Sequence, residues 1–174
     1  MKRHSSNFLF AILLVLLVML FAGCSSYNTP PDVRSVQECF QNNRDNIQII
    51  VDFMVYTGYA DIYIENTDGT MLVDASGTIQ NGLIEKQIDD DMVVAAVSQL
   101  LENREYVGIN KIGNTIEFQQ WSGLLDIGCG IAYTVNGTDA PEIQFATKLI
   151  PISEDGWFYY IYDYNEWREQ RTID

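Results

Sequence analysis

The stretch YVGINKIGNTIEFQQW, residues 106–121, sets the character of the fold. Two runs, Tyr106–Ile112 and Thr115–Trp121, flank Gly113-Asn114. Glycine at the first position of a two-residue loop suits a type II′ turn, which joins antiparallel strands. Such a loop fixes the register: Ile112 faces Thr115, Ile109 faces Phe118 and Tyr106 faces Trp121. One face then carries Val107, Ile109, Ile116 and Phe118, and the other Gly108, Asn110, Glu117 and Gln119.

Similar patterns lie on both sides. Asp61–Ala75 reads as a second hairpin, with Ile62 and Ile64 alternating and Asn66-Thr67-Asp68-Gly69 as its turn. Cys129–Asn136, Ile143–Ile150 and Trp157–Tyr164 read as further strands, with Asn136–Pro141 and Glu154-Asp155-Gly156 between them. Val36, Phe40, Ile47, Val51 and Met54 form one apolar stripe, so a single helix is expected from Val33, capped by Asp32, to about Tyr56. Asp89-Asp90-Asp91 opens a second helix with Val93, Ala96, Val97 and Leu100 inward. Residues 76–88 read as loop. The order α-β-β-α-β-β-β-β-β, with short connections, predicts a single α+β domain: a mainly antiparallel sheet with two helices packed on one face.

The chain has 174 residues, 24 acidic and 10 basic, for a net charge of −14. Two of the basic residues, Lys2 and Arg3, precede the apolar run FLFAILLVLLVMLF. This is the layout of an export signal. From Phe8 to Gly23 the run has 16 residues, about 24 Å of helix, short of the roughly 20 residues of a spanning helix. Removing residues 1–23 leaves 24 acids against 8 bases, a balance of −16. Such a surface repels phosphates, so nucleic acid is excluded as a partner.

Phe21-Ala22-Gly23-Cys24, after Leu20, resembles the lipobox of bacterial lipoproteins, with Phe21 where Leu is commoner. The resemblance implies cleavage before Cys24, acylation of its thiol, and an extracytoplasmic domain anchored to the cell membrane, since two or more acyl chains hold stably. A plain signal peptide or an uncleaved helix would leave the domain outside as well, because Lys2 and Arg3 favour a cytoplasmic N-terminus. Ser25, in place of Asp, would permit outer-membrane sorting in a Gram-negative cell. Residues 24–32 form the lipidated cysteine and a short tether, and 33–174 the domain. The segments Gly130–Gly137 and Gly156–Tyr162 resemble stretches of uncharacterised small lipoproteins of Gram-positive-type bacteria, a likeness that implies no activity.

The only histidine, His4, lies in the leader, so a mature chain cannot build a Ser-His-Asp or Cys-His pair. No cofactor, metal or catalytic residue is expected. Asn66–Gly69 slightly evokes a calcium loop, but position 12 is Gly77 where Glu is required. Asn136-Gly137-Thr138 matches a glycosylation acceptor and reads more simply as a turn. In an exported chain Cys39 and Cys129 either pair or remain two buried thiols. Trp157, Tyr159, Tyr160, Tyr162, Tyr164 and Trp167 put aromatics on both faces of one strand. They would either be covered on both sides or present a platform for a sugar, peptide or partner, with Asp163, Asn165 and Glu166 as nearby polar groups. A membrane-anchored, non-enzymatic binding domain for a protein, peptide or glycan fits these features best. The alternatives are a carboxylate-based wall-glycan hydrolase, which needs two carboxyls ~5–10 Å apart, and an inhibitor or immunity-type protein that steers a basic partner onto its acidic surface.

Overall fold

A computed structural model describes residues 29–75, 82–124, 126–135, 137, 139–152 and 156–171. The leader, Cys24, the first part of the tether, Asn136 and Thr138 of the acceptor triplet, and the Glu154-Asp155 turn lie outside the described residues.

Asp32 accepts a hydrogen bond from Ser35 N at 2.9 Å and so starts helix α1, Val33–Asn42. The expected single helix is in fact two, because Asn43 stands where the stripe needs an apolar residue. It is buried, its amide spends Nδ2 on the Cys39 carbonyl at 3.0 Å, and its backbone leaves helical geometry at φ −112°. Helix α2, Arg44–Tyr56, resumes the stripe, and all five of its positions, from Val36 to Met54, are buried. Strands β1 (Asp61–Ile64) and β2 (Thr70–Val73) form the expected hairpin. Its turn is held by Asp68, whose carboxylate accepts Thr70 N at 3.0 Å.

The segment read as loop contains β3, Ile84–Gln87, an edge strand whose side chains are mostly exposed and so lack a clear apolar alternation. Asp90 caps α3, Asp91–Glu102, by accepting Met92 N and Val93 N. Next come β4 (Gly108–Ile112), β5 (Thr115–Ser122), β6 (Ile127–Thr134), β7 (Ala146–Pro151) and β8 (Trp157–Asp163). Helix α4, Tyr164–Arg171, follows β8 without a loop and has no counterpart in the expected element order. Its cap is Asp163, which accepts Asn165 N and Glu166 N at 2.9 and 3.0 Å.

The eight strands form one antiparallel sheet in the order β3-β2-β1-β4-β5-β6-β8-β7. The α+β class therefore holds, with four helices rather than two among the described residues. Gly113 takes φ +57° and Asn114 does not take positive φ, the type II′ pattern; Ile112 faces Thr115 and Ile109 faces Phe118. The pairing of Tyr106 with Trp121 does not form. A bulge at Gln120 turns Trp121 onto the face of Cys129, its partner on β6.

Helices α1, α2 and α3 supply Val36, Phe40, Ile47, Ile50, Met54, Val97 and Leu100 to a core shared with Ile62, Ile64, Ile109, Ile116, Phe118, Ile131 and Trp157 of the sheet. We call this the inner face. Among the described residues no helix is long and apolar enough to cross a membrane.

Candidate ligand-binding face

The outer face follows from the register. Tyr63, Asn110, Glu117, Ala132 and Phe158 stand in one cross-strand row over β1, β4, β5, β6 and β8. Gly108, Gln119, Gly130 and Tyr160 stand in the next. Gly128 and Tyr162 stand in a third. Glycine and alanine on β6 leave room for the large side chains beside them. A β-carbon at Gly128 would lie 2.5 Å from the Tyr162 ring, which therefore lies across that residue. The Tyr160 and Tyr162 rings stack with centroids 6.3 Å apart.

This arrangement gathers polar groups in partly dry surroundings. Burial pushes the Glu117 carboxyl up to about 7, with the neighbouring Tyr160 hydroxyl pulling the other way. Burial, and then the Glu117 charge, raise Tyr160 well above the usual phenol range. The two groups face each other, yet Tyr160 Oη completes no hydrogen bond of good geometry, and neither does Asn110 Oδ1. Gln119 Nε2 donates to Tyr162 Oη at 2.7 Å. Tyr63 is raised by partial burial and then by the charges of Asp61 and Glu117. A carboxyl pushed up to about 7, two amides and the phenols of Tyr63 and Tyr162 can donate and accept toward a hydroxyl- or amide-rich ligand. No second carboxylate is among the groups that set the titration of Glu117.

The aromatic run is divided rather than presented as one platform. Trp157 is buried on the inner face, 4.7 Å from the Phe40 ring and 5.0 Å from Tyr133. Tyr159 is also inner and buried, and donates to the Pro31 carbonyl at 2.9 Å. Tyr160 is wholly buried on the outer face, and Tyr162 beside it is half-buried. Tyr164 and Trp167 belong to α4 and pack edge-on against Phe145, each 4.9 Å from it. The reason is strand order: β8 is flanked by β6 and β7, so it is not an edge, and both of its faces are used. Asp163, read as a ligand group, is the α4 cap.

Cys39 and Cys129 are both free. Cys39 is half-buried on α1 beside Tyr106 and Asn43, and Cys129 is buried beside Tyr159. Among the described residues no group of three His, Cys, Asp or Glu could hold a metal ion.

The sequence placed Asn110, Glu117 and Gln119 together on one face but did not bring Tyr63, Tyr160 or Tyr162 to them. That needed the pairing of distant strands. The outward parity of Tyr160 and Tyr162 on a strand following small residues was the available signal. Two hollows lie elsewhere. One, of about 770 Å³, runs between Tyr56, Tyr59 and Asp89, where the Lys86 ammonium is already committed to the Tyr59 hydroxyl and ring. The other, of about 650 Å³, lies between the Gly113-Asn114 turn and Asp139, Ala140 and Glu142. In comparison with known proteins, the chain matches no family model, no curated protein and no solved structure.

Proposed function

We propose that this chain is a lipid-anchored protein of the bacterial cell envelope that works by binding, and that it binds through the outer face of its sheet around Glu117, Asn110, Gln119, Tyr63 and Tyr162. The anchor rests on the lipobox and on Cys24. The binding role rests on one observation above all: Glu117, whose carboxyl burial pushes up to about 7, faces the Tyr160 hydroxyl and stands in register with Asn110, whose enclosed Oδ1 has no hydrogen-bond partner. Buried polar atoms without partners are rare and often mark a place completed by something else. The fitting ligand is a glycan strand or peptide that brings hydroxyl or amide groups to the face, while the flat rings offer stacking surface.

Titration of the full chain in detergent with soluble wall-glycan fragments and with peptides tests this. Saturable binding weakened at least tenfold by Glu117→Gln and by Tyr162→Ala supports it. Binding untouched by both variants overturns the site. Mass spectrometry of membrane-extracted protein tests acylation of Cys24 separately.

The hydrolase reading draws on the same raised Glu117, since a carboxyl near 7 suits a general acid. It needs a partner carboxylate across a cleft, and the residues beside Glu117 in the register are Asn110 and Ala132. Binding is therefore the better account.

A further inference from the structure

We infer that the end of the sheet carrying α4 is the surface this domain turns to the membrane, with Lys148, Arg171 and Trp167 seated among anionic lipid headgroups. The inference rests on the acyl-anchor reading of Cys24.

Chain length comes first. The six steps from Cys24 to Pro30 reach at most ~20–22 Å when extended. Whatever surrounds Pro30 is held within that distance of the bilayer. Pro30 shares a hollow of about 330 Å³ with Ile127, Thr147, Lys148, Ile161, Asp163 and Glu166. The Tyr159 hydroxyl fixes the next residue by its bond to the Pro31 carbonyl. These positions are the start of β6, the start of β7 and the end of β8, which is the end of the sheet from which α4 leaves.

Charge and side-chain type come second. Eight basic residues follow Cys24, and three of them, Lys148, Arg168 and Arg171, are on β7 and α4. All three are exposed. Along α4, Tyr164, Trp167, Arg168 and Arg171 follow the i, i+3, i+4, i+7 spacing of one side, while Asn165, Glu166 and Glu169 take the other. Arg171 lies 4.4 Å over the Trp167 ring and Arg168 5.8 Å over Tyr164. Half-exposed Trp and Tyr beside Arg and Lys are the side chains of the membrane–water boundary. A domain at −16 is otherwise repelled by an anionic leaflet; at this end Lys148 and the Tyr164–Arg171 side of α4 present cations, while Asp163 caps the helix and Glu166 and Glu169 take its other side.

The test uses the full acylated protein, reconstituted into vesicles whose lipids are brominated high on the acyl chain, either anionic phosphatidylglycerol mixtures or phosphatidylcholine alone. Comparison of wild type with Trp167→Phe isolates the emission of Trp167. The expected result is quenching of Trp167 in the anionic vesicles, reduced at least twofold in phosphatidylcholine and in the Lys148→Glu/Arg171→Glu double variant, with all proteins still floating with the vesicles. Floating protein whose Trp167 is unquenched in anionic vesicles overturns the membrane-facing surface and leaves the anchor intact. Wild-type protein that does not float overturns the anchor itself.

Discussion

Glu117 on β5 and Tyr160 on β8 meet over β6, the strand that separates them. They can do so because β6 places Gly130 and Ala132, with little or no side chain, between them. The consequence is a carboxyl held in surroundings that disfavour its charge, with no cation among the groups that act on it.

That placement gives the domain a specific pH response. Below about 4.5 Glu117 is protonated in both folded and unfolded chains, and above about 7 it is ionised in both. Between these values the folded state holds a proton that the unfolded state has released, so stability falls as pH rises through the interval. At ~1.4 kcal/mol per unit the loss is about 3 kcal/mol. Glu117→Gln should remove that slope: near wild-type stability at pH 4.5, and about 3 kcal/mol above wild type at pH 8, read from urea midpoints. General repulsion among the acidic side chains is nearly common to both proteins and drops out of the difference. Parallel pH profiles would refute the assignment.

Two glycines of the outer face should behave oppositely when given a methyl group. A β-carbon at Gly130 would sit 2.1 Å from the Phe118 carbonyl oxygen, a backbone atom that cannot step aside. Gly130→Ala should cost at least about 1–3 kcal/mol by overpacking. At Gly108 the nearest atom is Gln119 Oε1 at 3.6 Å, an ordinary contact. Gly108→Ala should stay within about 0.5 kcal/mol of wild type. Chemical denaturation of the two variants side by side checks both, and equal midpoints would contradict the packing described for β6.

The contrast explains which parts of the fold could be read from the chain. The turn at Gly113-Asn114, the caps at Asp32 and Asp90 and the stripe from Val36 to Met54 are local, and each appears as its residues dictate. Strand β3 is an exposed edge, so burial imposes little pattern on Ile84–Gln87. The helix break depends on one buried side chain, Asn43, choosing its own turn's carbonyl. The bulge at Gln120 reverses which face Trp121 occupies, and a strict alternation cannot announce it. Helix α4 had a signal, an Asp163 followed three residues later by Glu166, but the aromatic run around it pointed to continued strand. For the site, Asn110, Glu117 and Gln119 were legible as one polar face. Tyr160 reached them only through the pairing of β6 with β8, which is long-range.

The thiols offer a third measurement. Burial pushes Cys129 up to about 12 and raises Cys39, so neither forms much reactive thiolate at pH 8. An aromatic disulfide reagent should therefore react with fewer than one thiol per native chain over minutes. In guanidinium without reductant it should react with Cys39 and Cys129, with Cys24 adding a third thiol only where that residue is not acylated. Two thiols appearing only after reduction would mean that Cys39 and Cys129 are paired in the protein as isolated.

The junction between β8 and α4 hangs on Asp163, whose carboxylate takes the first free amides of the helix at Asn165 and Glu166. Helix α4 buries no residue completely, so packing does little to replace a lost cap. Asp163→Ala should weaken α4 locally by about 1 kcal/mol while moving the global urea midpoint little. The local change should be visible as faster amide exchange at residues 165–168 and as a red shift of Trp167 emission as its contact with Phe145 loosens. Asp163→Asn keeps an accepting oxygen and should restore most of both signals. If alanine left exchange at the start of α4 unchanged, the helix would be held by its aromatic contacts with Phe145, just before β7, rather than by its cap.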